Sequence, residues 1–330
     1  MKFATLPNAT PDGRLIVVST DLARAVDATA IAPSLLHAVQ HWAEVEAPLR
    51  DLYARLNAGL AAESFAFEPA QCAAPLPRSP QWLDGSAFLN HGRLMERAFN
   101  TAPIPDFDTI PVMYQGASDD FLGPYEDVPL PAEADGIDFE GEFGVVVDAV
   151  PMAATPAQAL ARVRLLVQIN DWSLRALGSR EMKTGFGFLQ AKPSTSFAPV
   201  AVTPDELGDA WREARIHLPL HVERNGERFG DAHGGEMNFG CDELIAHAAR
   251  SRRIAAGAII GSGTVSNAAR SVGSSCIAER RVIEILDRGE AMTSFMHFGE
   301  RACMQAVAAD GSTPFGAIDQ RVVPARPGQV

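Results

Sequence analysis

The stretch DFEGEFGVVV, residues 138–147, places two glutamates one residue apart at the start of a run that is typical of a buried strand. Side chains at positions i and i+2 of a strand point to the same face, so the carboxylates of Glu140 and Glu142 are predicted to project side by side. Two like charges a few ångströms apart repel each other, and burial strengthens that repulsion. A divalent cation with oxygen ligands would offset it, whereas a solvated strand edge is the alternative for an isolated pair.

Composition and charge restrict the classes of partner. The chain has 330 residues, of which 47% are hydrophobic and 21% charged, as in an ordinary globular protein that could hold two domains. Its net charge of −13 argues against nucleic acid or an anionic membrane as a partner. A metal and a few local cations could still attract an anionic substrate into one pocket.

The cysteines and the amino terminus predict the compartment. Four cysteines are scattered along the chain without a C-x-x-C pair, which favours free thiols in a reducing compartment over a disulfide framework. The opening segment MKFATLPNATPDGR lacks an apolar signal core, and no apolar stretch approaches the roughly 20 residues that span a bilayer. We therefore expect a soluble cytoplasmic protein.

The pattern of elements predicts two domains. Residues 1–75 are expected to form a small α+β domain, with a strand at 14–19 and helical spacing over 33–58. The proline-rich segment 72–80 then indicates a linker, because its prolines favour extended structure and interrupt any helix. A larger domain is expected over residues 76–330.

The larger domain is predicted to be mainly β with a few helices. Short apolar segments alternate with Gly, Pro and Asp, which is typical of strands and turns and unlike a regular βαβ series. Two capping-box patterns indicate helix starts, and an Asn-Gly dipeptide indicates a hairpin. The candidate strands are 138–148, 164–170, 216–224, 255–261 and 280–287, the helix starts are Thr155 and Thr203, a further helix is 241–252, and the hairpin turn is Asn225-Gly226.

Four further segments carry polar residues that a plain β fold does not require. The loop IIGSGTVSN (259–267) is rich in Gly and Ser, so its backbone N–H groups can approach a ligand closely. Taken singly, each polar residue has an ordinary explanation, such as a cap for an aspartate or a surface position for a histidine. The other candidates are Asp84 and His91 in LDGSAFLNHGRLMERA (83–98), Asp171 and Arg175 in QINDWSLR (168–175), and Lys192 in LQAKPSTSFAPV (189–200).

Taken together, these motifs resemble the fumarylacetoacetate hydrolase family. DFEGE, QINDWSLR, the lysine of AKPSTSFAP and GSGTVSN occur in the order and at the spacings of that family. The segment PVMYQGASDDFLGP (111–124) resembles the stretch in which a family tyrosine faces the substrate. The resemblance covers about residues 80–325. It implies a mixed β-sandwich roll of the fumarylacetoacetase carboxy-terminal type, preceded by a small α+β domain.

The resemblance also implies roles for individual residues. The family binds a divalent metal, usually Mg²⁺ or Ca²⁺ with Mn²⁺ as a further option, on four carboxylates, which here are Asp84, Glu140, Glu142 and Asp171. Implied catalytic residues are His91 as the base, Glu279 as the group that orients it, and Lys192 and Arg175 beside the metal and substrate. A hydroxyl of Thr195 or Ser196 completes the site, and the implied substrate-binding residues are Tyr114, Thr264 and Ser86.

The implied reaction is hydrolysis of a carbon–carbon bond in a β-diketo acid, such as fumarylacetoacetate or an acylpyruvate, in aromatic catabolism. The resemblance also implies a homodimer. Segment 176–188 lacks the glutamine and tyrosine that the family's tyrosine-pathway hydrolases carry after NDWSLR, which leaves the acyl group open. Alternatives are an oxaloacetate decarboxylase, a dienoate hydratase or isomerase, a non-catalytic protein that binds dicarboxylates through a metal, and a purely structural Ca²⁺ site.

Overall fold

The computed structural model describes residues 1–99 and 102–326, and β-strands dominate these ranges. The strands are β1 (Lys2–Leu6), β2 (Arg14–Val18), β3 (Arg24–Asp27), β4 (Phe65–Ala66), β5 (Trp82–Gly85), β6 (Met113–Gly116), β7 (Val128–Leu130), β8 (Ile137–Asp138), β9 (Gly141–Val147), β10 (Val163–Asn170), β11 (Ser173–Leu174), β12 (Ser196–Phe197), β13 (Ala201–Val202), β14 (Trp211–Arg212), β15 (Arg215–Ile216), β16 (Pro219–Arg224), β17 (Glu227–His233), β18 (Ile259–Gly261), β19 (Arg301–Ala306) and β20 (Ala317–Pro324). The α-helices are α1 (Leu35–Gln40), α2 (Trp42–Asn57), α3 (Leu89–Phe99), α4 (Pro156–Leu160), α5 (Arg175–Thr184), α6 (Cys241–Ala248) and α7 (Ile277–Arg288).

Two open sheets form the body of the protein. The larger has the order β4-β3-β2-β1-β13-β10-β9-β18-β5-β6, with β12 also paired to β10, and the smaller has the order β17-β16-β19-β20-β7. The buried side chain of Gln168 on β10 joins them, because it donates to Met304 O at 3.0 Å and accepts from Ala306 N at 2.7 Å. One apolar core contains side chains from both sheets. The predicted fold class, mainly β with surrounding helices, is confirmed.

The amino-terminal segment extends the larger sheet. Strand β1 pairs with β2 and also with β13, in the register Lys2↔Val202 and Phe3↔Ala201. A second apolar core joins helices α1 and α2 to side chains of β9 and β10. The segment predicted as a linker packs against the body, since Ala74 and Leu76 are buried. The predicted boundary near residue 75 therefore stays a prediction.

Most of the predicted local structure is present. Helix α4 begins with a complete capping box, in which the Thr155 hydroxyl accepts from Gln158 N and the Gln158 side chain accepts from Thr155 N. The hairpin of β16 and β17 turns at Asn225 and Gly226, both with positive φ, as a tight turn of this kind requires. Among the described residues, no helix is long and apolar enough to cross a membrane.

One local prediction is wrong, and two hold only in part. Residues 280–287 are not a strand but part of helix α7, Ile277–Arg288. The second capping-box pattern introduces a 3₁₀ helix, Pro204–Ala210, without a side-chain cap at Thr203. The strand predicted over 255–261 is shorter, because only β18 pairs.

Candidate metal centre and active site

Three buried carboxylates meet where neighbouring strands of the larger sheet end. Asp84 lies on β5, Glu142 on β9, and Asp171 directly after β10, and each offers an oxygen within 4.8 Å of the others. Strand β18 runs between β5 and β9 and contributes Gly261. A Cβ atom at Gly261 would lie 2.3 Å from Asp84 Oδ1, so a larger residue there would collide with the carboxylate.

This cluster has more negative charge than the surrounding protein offsets. Both carboxylate oxygens of Glu142 are buried and have no hydrogen-bond partner within residues 1–99 and 102–326. Burial, and then the charges of Asp84 and Asp171, raise the pKa of Glu142 well above its usual range. Burial and the charge of Asp171 likewise raise the pKa of Asp84 to about 8. Buried carboxylate oxygens without partners are the ligands that a hard divalent cation prefers, so the donor set fits the predicted metal.

Glu140 faces two cations beside the cluster. Lys192 Nζ lies 2.9 Å from Glu140 Oε2 and 2.5 Å from Asp171 Oδ2, and the guanidinium of Arg175 also contacts Glu140. Burial raises the pKa of Glu140, but Arg175 and Lys192 outweigh it, so that pKa lies well below its usual range. Because both oxygens of Glu140 are engaged by cations, its role as a fourth metal ligand stays a prediction.

Hydroxyl groups fix the orientation of Asp171. Thr195 Oγ1 donates to Asp171 Oδ1 at 2.8 Å, and the Tyr114 hydroxyl donates to Asp171 Oδ2 at 2.6 Å. Ser196 instead accepts a hydrogen bond from the indole N–H of Trp172 at 3.0 Å. Of the two hydroxyl residues that the sequence left open, Thr195 is therefore the one that contacts the carboxylates.

A histidine–glutamate pair joins helices α3 and α7. His91 Nδ1 lies 2.9 Å from Glu279 Oε2, across 188 residues of sequence. Glu279 is almost fully buried at 1% exposure, whereas the His91 ring is 16% exposed and can reach solvent. This contact fixes the Nδ1 side of the ring and leaves Nε2 available for proton transfer. The structure thus brings together the two residues that the sequence paired.

The Gly-Ser loop after β18 lies against the same cluster. Gly263 N donates to Asp84 Oδ1 at 3.0 Å, and Gly263 has φ of +76°, where a Cβ would lie 2.2 Å from Gly85 O. Thr264 is the next residue and is buried. Ser86 is half-buried directly after β5, where its backbone N–H donates to Val112 O at 2.8 Å. Substrate binding by Thr264 and Ser86 stays a prediction.

Asp138 is a site residue that the sequence reasoning missed. It is fully buried, and its Oδ2 accepts from Arg175 Nε at 2.8 Å. It also accepts from the backbone N–H groups of Ile277 at 2.7 Å and Ala278 at 2.9 Å, at the start of α7. Its position two residues before Glu140 was a usable signal, since the spacing that pairs Glu140 with Glu142 extends to Asp138.

Comparison with known families identifies the chain. The family model described as "Fumarylacetoacetate (FAA) hydrolase C-terminal" matches residues 81–323, and the one described as "Fumarylacetoacetase N-terminal domain 2" matches residues 1–78. The chain belongs to the fumarylacetoacetate hydrolase family. The resemblance drawn from its motifs is confirmed.

Individual relatives of this family member differ in their reactions. A 2,4-didehydro-3-deoxy-L-rhamnonate hydrolase of Sphingomonas sp. (strain SKA58) is 30% identical over 165 residues, which cover 49% of this chain and 54% of the relative. A mitochondrial oxaloacetate tautomerase of Rattus norvegicus is 26% identical over 157 residues, covering 47% and 48%. The chain thus spans about half the length of the curated relatives it matches.

A solved structure shows the same fold. Maleylpyruvate hydrolase from Sphingobium sp. SYK-6, in complex with manganese(II) ion and pyruvate, superposes with a TM-score of 0.65 at 16% identity, covering 99% of this chain and 100% of that one. At this identity the comparison shows the architecture alone.

Proposed function

We propose that the chain catalyses metal-dependent hydrolysis of a carbon–carbon bond in a β-diketo acid, such as an acylpyruvate or fumarylacetoacetate. The observation that carries the proposal is the His91–Glu279 pair beside a cluster of buried carboxylates. Burial opposes ionisation of Glu140, but the charges of Arg175 and Lys192, and to a lesser extent that of His91, lower the pKa of its carboxyl group. A metal site that only bound dicarboxylates, or only stabilised the fold, would not require such a pair.

The proposed metal ligands are Asp84, Glu142 and Asp171, with Glu140 as a candidate fourth. When bound, a divalent cation supplies a Lewis acid that polarises the oxygens of a diketo acid. We propose Mg²⁺ or Mn²⁺, with Ca²⁺ as the alternative. The maleylpyruvate hydrolase structure, which contains manganese(II) and pyruvate, supports a cation and a keto acid in this fold.

The residues around the cluster are proposed to transfer protons and to stabilise the negative charge that develops during cleavage. His91 Nε2 takes a proton from water as the water oxygen attacks one carbonyl carbon, and Glu279 stabilises the imidazolium that forms. When the carbon–carbon bond breaks, its electron pair moves toward the oxygen of the departing keto fragment, near Lys192 and Arg175. His91 can then return the proton to the carbon of that fragment. Removing one charge-stabilising donor of this kind costs roughly 3–4 kcal/mol of transition-state stabilisation.

A tautomerase is the second candidate, and the oxaloacetate tautomerase relative favours it. Moving a proton between carbon and oxygen of a keto acid needs an acid–base group, which His91 could supply without activating water. Decarboxylation of oxaloacetate and hydration or isomerisation of dienoates stay open on the same carboxylate site. We also propose a homodimer, which light scattering of the purified protein would test.

A spectrophotometric assay separates these reactions. Protein stripped with a chelator is mixed with fumarylacetoacetate, a short acylpyruvate or oxaloacetate, with and without Mg²⁺ or Mn²⁺. The proposal requires metal-dependent loss of the diketone band together with two acid products. Enol–keto conversion of oxaloacetate without cleavage of either diketo acid would assign the tautomerase instead.

The His91→Ala variant tests the base. We expect kcat for diketo-acid cleavage to fall about 10²–10⁴-fold, the usual contribution of a positioned acid–base group. Metal affinity, measured by calorimetry, should stay unchanged, because His91 contacts Glu279 rather than the carboxylate cluster. Turnover equal to that of the unmodified protein would remove His91 from the mechanism.

A further inference from the structure

We propose that Asp138 is a positioning residue. It holds Arg175, which contacts Glu140, at a fixed distance from the start of α7, which carries Glu279, the partner of His91. The inference rests on the proposed function only for its kinetic test. One carboxylate, with no solvent exposure, accepts hydrogen bonds from Arg175 and from the first turn of α7. Arg175 contacts Glu140, and α7 carries Glu279.

The contacts divide between the two oxygens of the carboxylate. Oδ1 accepts from Ile277 N at 2.7 Å, while Oδ2 accepts from Ala278 N at 2.9 Å and from Arg175 Nε at 2.8 Å. A carboxylate with three short donors has little freedom to rotate, and hydrogen bonds of this kind to a charged group are stronger than neutral ones. Asp138 therefore fixes the distance between Arg175 and the start of α7.

The distance between Arg175 and the start of α7 determines the position of the catalytic base. Glu279 comes directly after Ala278, so the backbone that Asp138 holds determines where the Glu279 carboxylate meets His91. A displacement of the helix start would be passed to the imidazole through this contact. Groups one contact removed from a reacting residue commonly change activity by roughly 10–100-fold.

A simple helix-capping role does not account for the arrangement. Cys276 Sγ already accepts from Glu279 N at 3.3 Å, as the cap from the helix's own segment. Asp138 comes from strand β8, 139 residues earlier, and also pairs with a buried guanidinium. Asparagine caps helices about as well as aspartate but cannot form an ion pair, so Asp138→Asn separates the two roles.

The test is a double-mutant cycle with Asp138→Asn, Glu279→Gln and the double variant. We expect Asp138→Asn to lower kcat about 10–100-fold with little change in KM, and the double variant to be no slower than Glu279→Gln alone. The matched control is Glu284→Gln. Glu284 is also on α7, but it accepts from the backbone N–H groups of Met292 and Thr293, which follow that helix. Its kcat should stay unchanged.

A readout that does not depend on turnover is the ¹⁵N NMR signal of the His91 ring. Asp138→Asn should shift it in the direction that Glu279→Gln does, whereas Glu284→Gln should not. An inactive unmodified protein would refute the proposed function while the NMR comparison still decides this inference. Additive kinetic effects, or a His91 signal that Asp138→Asn leaves in place, would overturn it. If Asp138→Asn does not fold, Asp138→Ser, which keeps one acceptor, takes its place in the same measurements.

Discussion

Two kinds of buried carboxylate lie side by side in this protein. The cation-paired carboxylates, Asp138 and Glu140, are held by Arg175, and Glu140 also by Lys192. The metal-side carboxylates, Asp84 and Glu142, have raised pKa values, and the oxygens of Glu142 have no hydrogen-bond partner in the part of the chain that the structure describes. The negative charge of the first kind is balanced by Arg175 and Lys192 of the same chain. The second kind has raised pKa values that a bound cation would lower, and we propose that this difference marks where a divalent cation binds.

Asp171 connects the two kinds of carboxylate. It belongs to the three-carboxylate cluster, yet it also accepts from Lys192, Tyr114 and Thr195. These donors fix its orientation before any metal arrives, which lowers the entropy cost of assembling the site. Among the described residues, Asp84 accepts a backbone hydrogen bond from Gly263 but the oxygens of Glu142 have no donor, so the metal-side pair should destabilise the metal-free fold, as is common at functional sites.

The largest effect is expected from Glu142→Gln. Removing this ligand should weaken metal binding and turnover by more than the roughly 10–100-fold that an outer contact costs. The metal-free variant should nevertheless melt at a higher temperature, because burial and the charges of Asp84 and Asp171 disfavour the ionised form of Glu142, a cost that neutral glutamine does not carry. Calorimetric titration with Mn²⁺ and thermal unfolding with a chelator measure the two effects.

Glu140→Gln, at the neighbouring cation-paired carboxylate, is the matched control for Glu142→Gln. Its metal-free melting temperature should fall, since Arg175 and Lys192 would lose a charged partner in a buried site. Its Mn²⁺ affinity decides whether Glu140 is a fourth ligand. Shifts of the same sign in both variants would contradict the division into two kinds of carboxylate.

A smaller loss of activity is expected from Lys192→Met. The ammonium lies between Glu140 and Asp171, so removing it leaves two buried carboxylates without their shared cation. Breaking a buried ion pair typically costs about 3–5 kcal/mol of unfolding free energy. Turnover should fall about 10²–10³-fold, as when one oxyanion donor is lost. Urea unfolding and the diketone assay measure both quantities.

Lys183→Met provides the control, because Lys183 is an exposed lysine at the end of α5. Its unfolding free energy should change by no more than about 0.5 kcal/mol, as for most surface substitutions. Equal effects of the two lysine substitutions would show that Lys192 does not compensate the buried carboxylates.

Local patterns and the family resemblance together predicted which carboxylates lie close to one another. Strand periodicity placed Glu140 and Glu142 at one locus, and short motifs supplied Asp84, Asp171 and Lys192, which the structure brings together. Periodicity failed at residues 280–287, where β-branched Val282, Ile283 and Ile285 suggested a strand. That segment is a helix capped by the sulfur of Cys276, and no standard capping signal precedes it.

Long-range contacts were beyond the reach of the sequence patterns. Asp138 stands in the same DFEGE motif as Glu140 and Glu142, but its partners lie 37 to 140 residues away, so no local spacing predicts them. The choice between Thr195 and Ser196 depended on which side chain β12 turns toward Trp172. The domain boundary, the homodimer, the location in the cell and the roles of Ser86 and Thr264 stay predictions.

The last predicted effect is a gradual pH dependence that only the metal-side carboxylates should produce. The pKa of Asp84 is raised to about 8 in the folded protein, chiefly by burial, whereas an unfolded aspartate titrates near pH 3.9. Between about pH 4 and pH 8 the folded, metal-free protein therefore binds more protons than the unfolded chain. Its unfolding free energy should fall as the pH rises through this window, by up to about 1.4 kcal/mol per pH unit for one proton.

A bound divalent cation should remove this dependence, because it keeps Asp84 deprotonated in the folded state. Thermal unfolding at pH 5, 6, 7 and 8, with a chelator or with saturating Mg²⁺, should give curves that separate progressively as the pH rises. Asp84→Asn should reduce the slope of the chelator curve, since one of the two carboxyl groups with a raised pKa is gone and Glu142 still binds an extra proton. Parallel curves in chelator and Mg²⁺ would mean that the excess negative charge is compensated within the chain, and the two kinds of carboxylate would then not differ in function.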